Sequence, residues 1–174
     1  MLTPQTNHIE EYQVDGLSIQ HQFLTINPYS RSGKPLNKVK GIVIHYTGNP
    51  NSTAQNNRDY FENLKNKHTT YASSHFIIGL KGEVIQCIPL NEISYASNNR
   101  NKDTISIECC HPDESGQFTE ETYNSLQKLV QSLSNTYQLN HNDIIRHYDV
   151  TGKICPKYFV ENEDAWNNFL NSIH

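Results

Sequence analysis

Three side chains of metal-binding type stand far apart in this chain. His45 sits near the end of a β-branched run, His147 follows a short apolar run, and Cys155 lies eight residues further on, just before Pro156. Neutral imidazole and thiolate are common zinc ligands. A catalytic zinc takes three protein ligands and leaves a fourth position for water. The chain carries no compact metal motif such as HExxH, and each residue has a plainer reading. A lone strand histidine is more often a hydrogen-bonded structural group, and spacing this wide does not choose between the two.

Two charged residues accompany the three. Alternation along TISIECC puts Ile105, Ile107 and Cys109 on one strand face and Thr104, Ser106, Glu108 and Cys110 on the other. A carboxylate within such a strand is costly unless it meets water, a partner or a polar cleft, so Glu108 faces either solvent or a site. Lys153 lies between His147 and Cys155; alone, it reads as an ordinary loop lysine.

The elements that must position these residues follow from periodicity. GIVIHYTG (41–48) is apolar on both faces and predicts a central, doubly covered strand with His45 near its end. Ser52 and Gln55 have capping-box spacing and predict a helix to about Lys67, with Tyr60, Phe61 and Leu64 inward. Strands are expected over Ser74–Leu80 and Glu83–Ile88, joined by a tight turn at Lys81-Gly82, with Pro89 ending the second. Residues 89–103 read as a long polar loop and Thr104–Cys110 as a strand. After the turn cluster at 111–116, Thr119 caps a helix with Glu120 and Glu121 in its first turn. That helix carries the stripe Tyr123, Leu126, Leu129, Val130, Leu133 and Tyr137. A short strand at Asn142–Arg146 and a helix at 163–173 complete the chain. Strands alternating with helices, plus one hairpin, predict an α/β fold with a mixed sheet flanked by helices. Residues 1–39 carry a weak strand signal near Leu17–Leu24 and read as an N-terminal arm packing onto a domain of residues 40–174.

Composition narrows the class. A chain of 174 residues can bury a core without disulfide staples, and Cys87, Cys109, Cys110 and Cys155 lack scaffold spacing. Cys87 and Cys109 read as small buried hydrophobes. A net charge of −4 without a basic stripe argues against a nucleic-acid partner. No apolar run is long enough to span a bilayer. The start, MLTPQTNHIEEYQV, lacks the basic and apolar segments of a secretory leader, so export by another route or a leader outside this sequence is expected.

Taken with their contexts, these segments resemble the zinc N-acetylmuramoyl-L-alanine amidases of the amidase-2 type, a group that includes phage lysozyme-type amidases, bacterial autolysins and animal peptidoglycan-recognition proteins. The resemblance runs from about Lys40 to Trp166 and rests on GIVIHYTG, SSHFIIGLKGEVIQCIP, DTISIECCHP and HYDVTGKICP, in that order. NPYSRSGKPLNKVKGIVIHYTGNP is also similar to the start of bacterial and prophage members. The resemblance implies Zn²⁺ as cofactor, with His45, His147 and Cys155 as its ligands. It implies Glu108 as the general base that draws a proton from water at the metal, and Lys153 as the group that stabilises the oxyanion. The substrate implied is peptidoglycan, cut between muramic acid and L-alanine outside the cell, as in endolysins and autolysins. A cell-wall-binding domain is expected to lie outside this sequence, if the protein has one.

The departures from the family pattern matter as well. Some members carry a catalytic Tyr where Ser74 stands, and they tend to lack the strand Glu, so Glu108 takes that place here. Tyr71 could approach the site, Tyr46 and His111 could line the groove, and a structural role is favoured for His75. A Trp-His pair after the hairpin in many members is replaced by Tyr95-Ala96, which removes one substrate contact. Three other functions share these residues: a recognition module without catalysis, a zinc peptidase cutting within the stem peptide, and a structural zinc domain. Retention of Cys155 argues against the first, and only groove shape separates the second. The third needs a fourth ligand, for which His111 beside Pro112 is poorly placed.

Overall fold

The computed structural model describes residues 11–14 and 16–174; the parts of the expected arm at residues 1–10 and 15 lie outside the described residues. Seven strands of these residues form one mixed sheet. They are β1 (Glu11–Val14), β2 (Leu17–His21), β3 (Gly41–Tyr46), β4 (Phe76–Ile78), β5 (Val84–Gln86), β6 (Thr104–Cys109) and β7 (Ile144–Arg146). Five helices accompany them: α1 (Ala54–Lys67), α2 (Glu120–Tyr137), α3 (His147–Thr151), α4 (Lys157–Glu161) and α5 (Glu163–Asn171). The sheet order is β1-β2-β5-β4-β6-β3-β7. Strands β4, β6, β3 and β7 run parallel to one another, while β4–β5 and β1–β2 are antiparallel pairs. Strand β2 pairs parallel with β5, so residues 17–21 are part of the sheet itself.

Alternation along the central strands builds two unlike faces. Ile42 and Ile44 of β3 and Ile105, Ile107 and Cys109 of β6 join Leu126, Leu129 and Val130 of α2, and Trp166 and Phe169 of α5, in the larger core. Phe169 is fully buried, with the rings of Tyr123, Phe159 and Trp166 at 5.7, 5.5 and 5.8 Å. Burying each such ring contributes about 2–3 kcal/mol. On the opposite face, Ala54 and Phe61 of α1 meet Ile77, Ile85 and Cys110 in a smaller core. Helix α1 packs on β4 and β5. The β6 part of that face carries Ser106 and Glu108, and the connection after β5 meets it with polar groups.

Local chemistry explains the boundaries. Helix α1 is capped one residue later than its sequence predicts. Thr53 Oγ1 accepts the Asn56 N–H at 3.0 Å, and Asn56 Oδ1 accepts the Thr53 N–H at 3.0 Å. Ser52 instead donates to the Asn49 carbonyl at 2.8 Å. Phe61 and Leu64 face inward as expected, but Tyr60 is 51% exposed, since one helical residue earlier lies about 100° round the axis. Thr119 caps α2, accepting the Thr122 N–H at 3.1 Å. Gly82 has φ +80° in the hairpin turn, and a Cβ there would lie 2.8 Å from Ser125 Oγ and 2.9 Å from the Glu121 carbonyl. Both conditions require glycine. All four cysteines are buried and free, with Cys109 and Cys110 in the two different cores. No helix of the described residues is long and apolar enough to cross a membrane.

Candidate active site

Strand register alone gathers most of the candidate residues. His45 pairs with Glu108 across β3–β6, and Ile44 pairs with Arg146 across β3–β7. His45, Glu108 and His147 therefore stand at the carboxyl ends of three adjacent parallel strands, where open α/β sheets commonly place their sites. Partners in parallel register share a face, so His45 and Glu108 both lie opposite the larger core.

Cys155 reaches the same place by a tight return of the chain. Arg146 ends β7 and is 7% exposed. Its guanidinium bonds Asp149 Oδ1 at 2.9 Å, the Phe159 carbonyl at 3.0 Å and Glu163 at 2.9 Å. Those bonds tie the strand end to α3, α4 and α5 and so fix where His147 begins α3. Gly152, at φ +82°, closes α3 and reverses the chain. The Tyr148 N–H then donates to the Cys155 carbonyl at 3.0 Å, bringing Cys155 back beside His147.

His45, His147 and Cys155 each offer one ligand atom within 4.8 Å of the others, and all three are buried. Cys155 Sγ lies 3.8 Å from His45 Nδ1, and the two imidazole centroids are 4.6 Å apart. A tetrahedral ion with bonds of about 2.1 Å to nitrogen and 2.3 Å to sulfur would hold such atoms about 3.6 Å apart. His45 Nε2 already bonds Ser97 Oγ at 3.0 Å, and His147 Nε2 bonds Asn98 Oδ1 at 2.8 Å. His147 Nδ1 is buried without a hydrogen-bond partner. Leaving such an atom unsatisfied costs about 1–3 kcal/mol, which a bound cation would remove.

Electrostatics fits the same reading. Burial lowers the His45 pKa well below its usual value, helped by the charges of His147 and Lys153. Burial and Lys153 lower that of His147. Both imidazoles are thus neutral near pH 7, as a metal ligand must be. Burial pushes the Cys155 thiol up to about 12, with the Glu108 charge adding to it; the Tyr46 N–H and Lys153 pull the other way. A dication at the cluster would reverse that balance and yield thiolate. Burial also raises Glu108 to about 8, against the pull of Lys153. One cation, Lys153, thus acts on all four groups.

The other candidate residues divide. Tyr46 adjoins His45 in β3, and its ring centroid lies 4.9 Å from that of His111. His111 is 1% exposed; its Nδ1 bonds the Asp113 carbonyl at 2.8 Å while its Nε2 has no partner. Tyr71 is 64% exposed and joins a surface row of rings with Tyr29 and Tyr95. Ser74 is fully buried, and its hydroxyl donates to the Phe76 carbonyl at 2.9 Å. Sequence reasoning passed over three residues at the site. Ser97 and Asn98 lie inside the stretch read as an undifferentiated polar loop, and no pattern marks them. Arg146 could have been found, because its spacing to Asp149 suits an (i, i+3) pair across a helix start.

Comparison with known proteins places the chain in a family. Residues 35–158 match the family described as N-acetylmuramoyl-L-alanine amidase, Amidase_2. N-acetylmuramoyl-L-alanine amidase CwlL of Bacillus licheniformis is 34% identical over 90% of this chain and 47% of its own length. BlyA of Bacillus subtilis, of the same description, is 33% identical over 88% of this chain and 46% of its own. The chain thus spans about half the length of these curated relatives. Among solved structures, a mutant endolysin from Bacillus subtilis superimposes with a TM-score of 0.76 at 26% identity, covering 91% of this chain and 99% of that one. The fold is that of the amidase-2 proteins, and the chain belongs to the Amidase_2 family of N-acetylmuramoyl-L-alanine amidases.

Proposed function

We propose that this protein hydrolyses the amide bond joining N-acetylmuramic acid to L-alanine in peptidoglycan, acting at the cell wall, with zinc held by His45, His147 and Cys155. One observation carries the proposal: two neutral imidazoles and a buried sulfur converge with a spare nitrogen, beside a carboxyl on the same sheet face. Zinc is the metal that this donor set suits best, and when bound it supplies Lewis acidity that activates water and polarises the amide carbonyl.

The chain's own groups do the rest. Glu108 takes the proton of the attacking water and returns it to the alanine nitrogen as the amide bond breaks. Burial holds its carboxyl near 8, while Lys153 and a cation at the ligand cluster favour the carboxylate needed to accept that proton. Lys153 faces the negative charge that develops on the carbonyl oxygen. Tyr46 and His111 form the wall against which substrate lies, and Tyr71 offers a more distant aromatic contact. Ser74 supports the hairpin from within.

The test is digestion of defined muropeptides with product identification. New L-alanine amino termini and intact stem peptides free of sugar are expected. Fragments cut within the stem would make the protein a peptidase, and binding without release would make it a recognition module.

A further inference from the structure

The two ligand histidines are held by adjacent residues of one loop. Ser97 Oγ lies 3.0 Å from His45 Nε2, and Asn98 Oδ1 lies 2.8 Å from His147 Nε2. Both oxygens act as acceptors whenever the imidazoles offer Nδ1 to a cation, because each Nε2 must then carry the proton. The pair is itself held in place. Asn101 Oδ1 accepts the N–H groups of Ala96 and Ser97 at 3.0 and 2.6 Å. Asn98 adopts φ +53°, a left-handed conformation that asparagine tolerates better than most residues. Helix α3, which His147 begins, packs against this turn.

We infer that Ser97 and Asn98 are positioning residues of the metal centre, fixing the tautomer and ring orientation of His45 and His147 so that each turns Nδ1 toward Cys155. The inference rests on the metal reading given above. A loop that merely filled space would not need to meet both imidazoles through neighbouring oxygens. Metal-bound histidines nearly always donate their second N–H to such acceptors, and losing one weakens binding by about 10- to 100-fold.

The test is zinc affinity, measured by competition with a chromogenic chelator, on the whole chain and its variants. Asn98→Gly removes the amide and keeps the left-handed backbone; Ser97→Ala removes the hydroxyl. Each is expected to bind zinc about 10-fold more weakly, with the double variant weaker still. The absorption bands of the Co²⁺-loaded protein should shift, while thermal unfolding of metal-free Asn98→Gly stays near wild type. Asn98→Asp, which keeps an acceptor oxygen, is expected to restore affinity. Unchanged zinc affinity in Asn98→Gly would overturn the inference. A wild-type chain that took up no zinc would instead overturn the metal reading itself.

Discussion

Two kinds of buried histidine sit on this sheet, and burial does not tell them apart. His75 is completely buried, and both of its ring nitrogens are bonded: Nδ1 accepts the Ser106 N–H at 3.0 Å and Nε2 donates to the Glu92 carbonyl at 2.8 Å. His45 and His147 are almost as buried, but each has only one nitrogen bonded to an oxygen, and the other is left toward sulfur or with no partner. The first histidine is finished by the protein and serves as a brace between β6 and the connection after β5. The other two are left incomplete beside one buried sulfur, where a cation could complete both; the unpartnered Nε2 of His111 lies outside that cluster. What separates His75 from this pair is hydrogen bonding, not burial or the direction of the pKa shift.

The sharpest way to break that contrast is to remove the sulfur between the incomplete pair. Cys155→Ala should lose stoichiometric zinc and all measurable amidase activity, and chelation of the wild-type protein should do the same reversibly. Metal content by atomic emission decides it, and an unchanged zinc stoichiometry in the variant would contradict the ligand set. Glu108→Gln should lower turnover by about 10²- to 10⁴-fold while zinc stays bound. Full turnover in that variant would remove Glu108 from the proton path. Lys153→Ala should cost about 10²-fold in kcat with a smaller effect on KM, as expected for a charge that matters mainly in the transition state. A loss confined to KM would make Lys153 a substrate contact instead.

How much of this was legible in the sequence follows the same divide. The central strands, the stripe of α2 and its Thr119 cap depend on alternation and capping that neighbouring residues dictate, and they stand where periodicity puts them. Helix α1 stands where its pattern puts it, but its cap is one residue later, because Ser52-Gln55 and Thr53-Asn56 satisfy similar rules. Only the side-chain bonds choose between them. Tyr60, about 100° from Phe61 on the helix, stands at the edge of the apolar stripe, and packing leaves it outside. Helices α3 and α4 leave no signature in the sequence, because five residues are too few to show a helical period. The wide spacing of His45, His147 and Cys155 does not by itself point to a shared ion; motif resemblance does, while the β6–β3–β7 register brings the two histidines together and the return of the chain after α3 brings in Cys155. Ser97 and Asn98 were illegible, because an acceptor in a polar loop becomes meaningful only once the loop is folded over the imidazoles.

The smallest effect concerns the completed histidine, and its sign can be worked out. Burial lowers the His75 pKa from 6.5 to about 4, against the opposing pull of Glu92. Well above pH 6.5 neither the folded nor the unfolded chain protonates this ring, and its full contribution to stability is present. As pH falls from 6.5 toward about 4, the unfolded chain binds a proton that the folded chain refuses, so stability declines; below that range both bind it and the loss stops. The total is about 3 kcal/mol. Metal-free His45 and His147 add declines of the same sign, so the useful measurement is a difference. Urea unfolding of metal-free wild type and His75→Asn, each at pH 7 and pH 4.5, isolates this ring because both proteins keep the other two. The variant should be less stable at pH 7 yet lose less on acidification. Equal losses would mean that His75 takes up its proton without strain, and a fully bonded ring would then no longer be the structural counterpart of the incomplete pair.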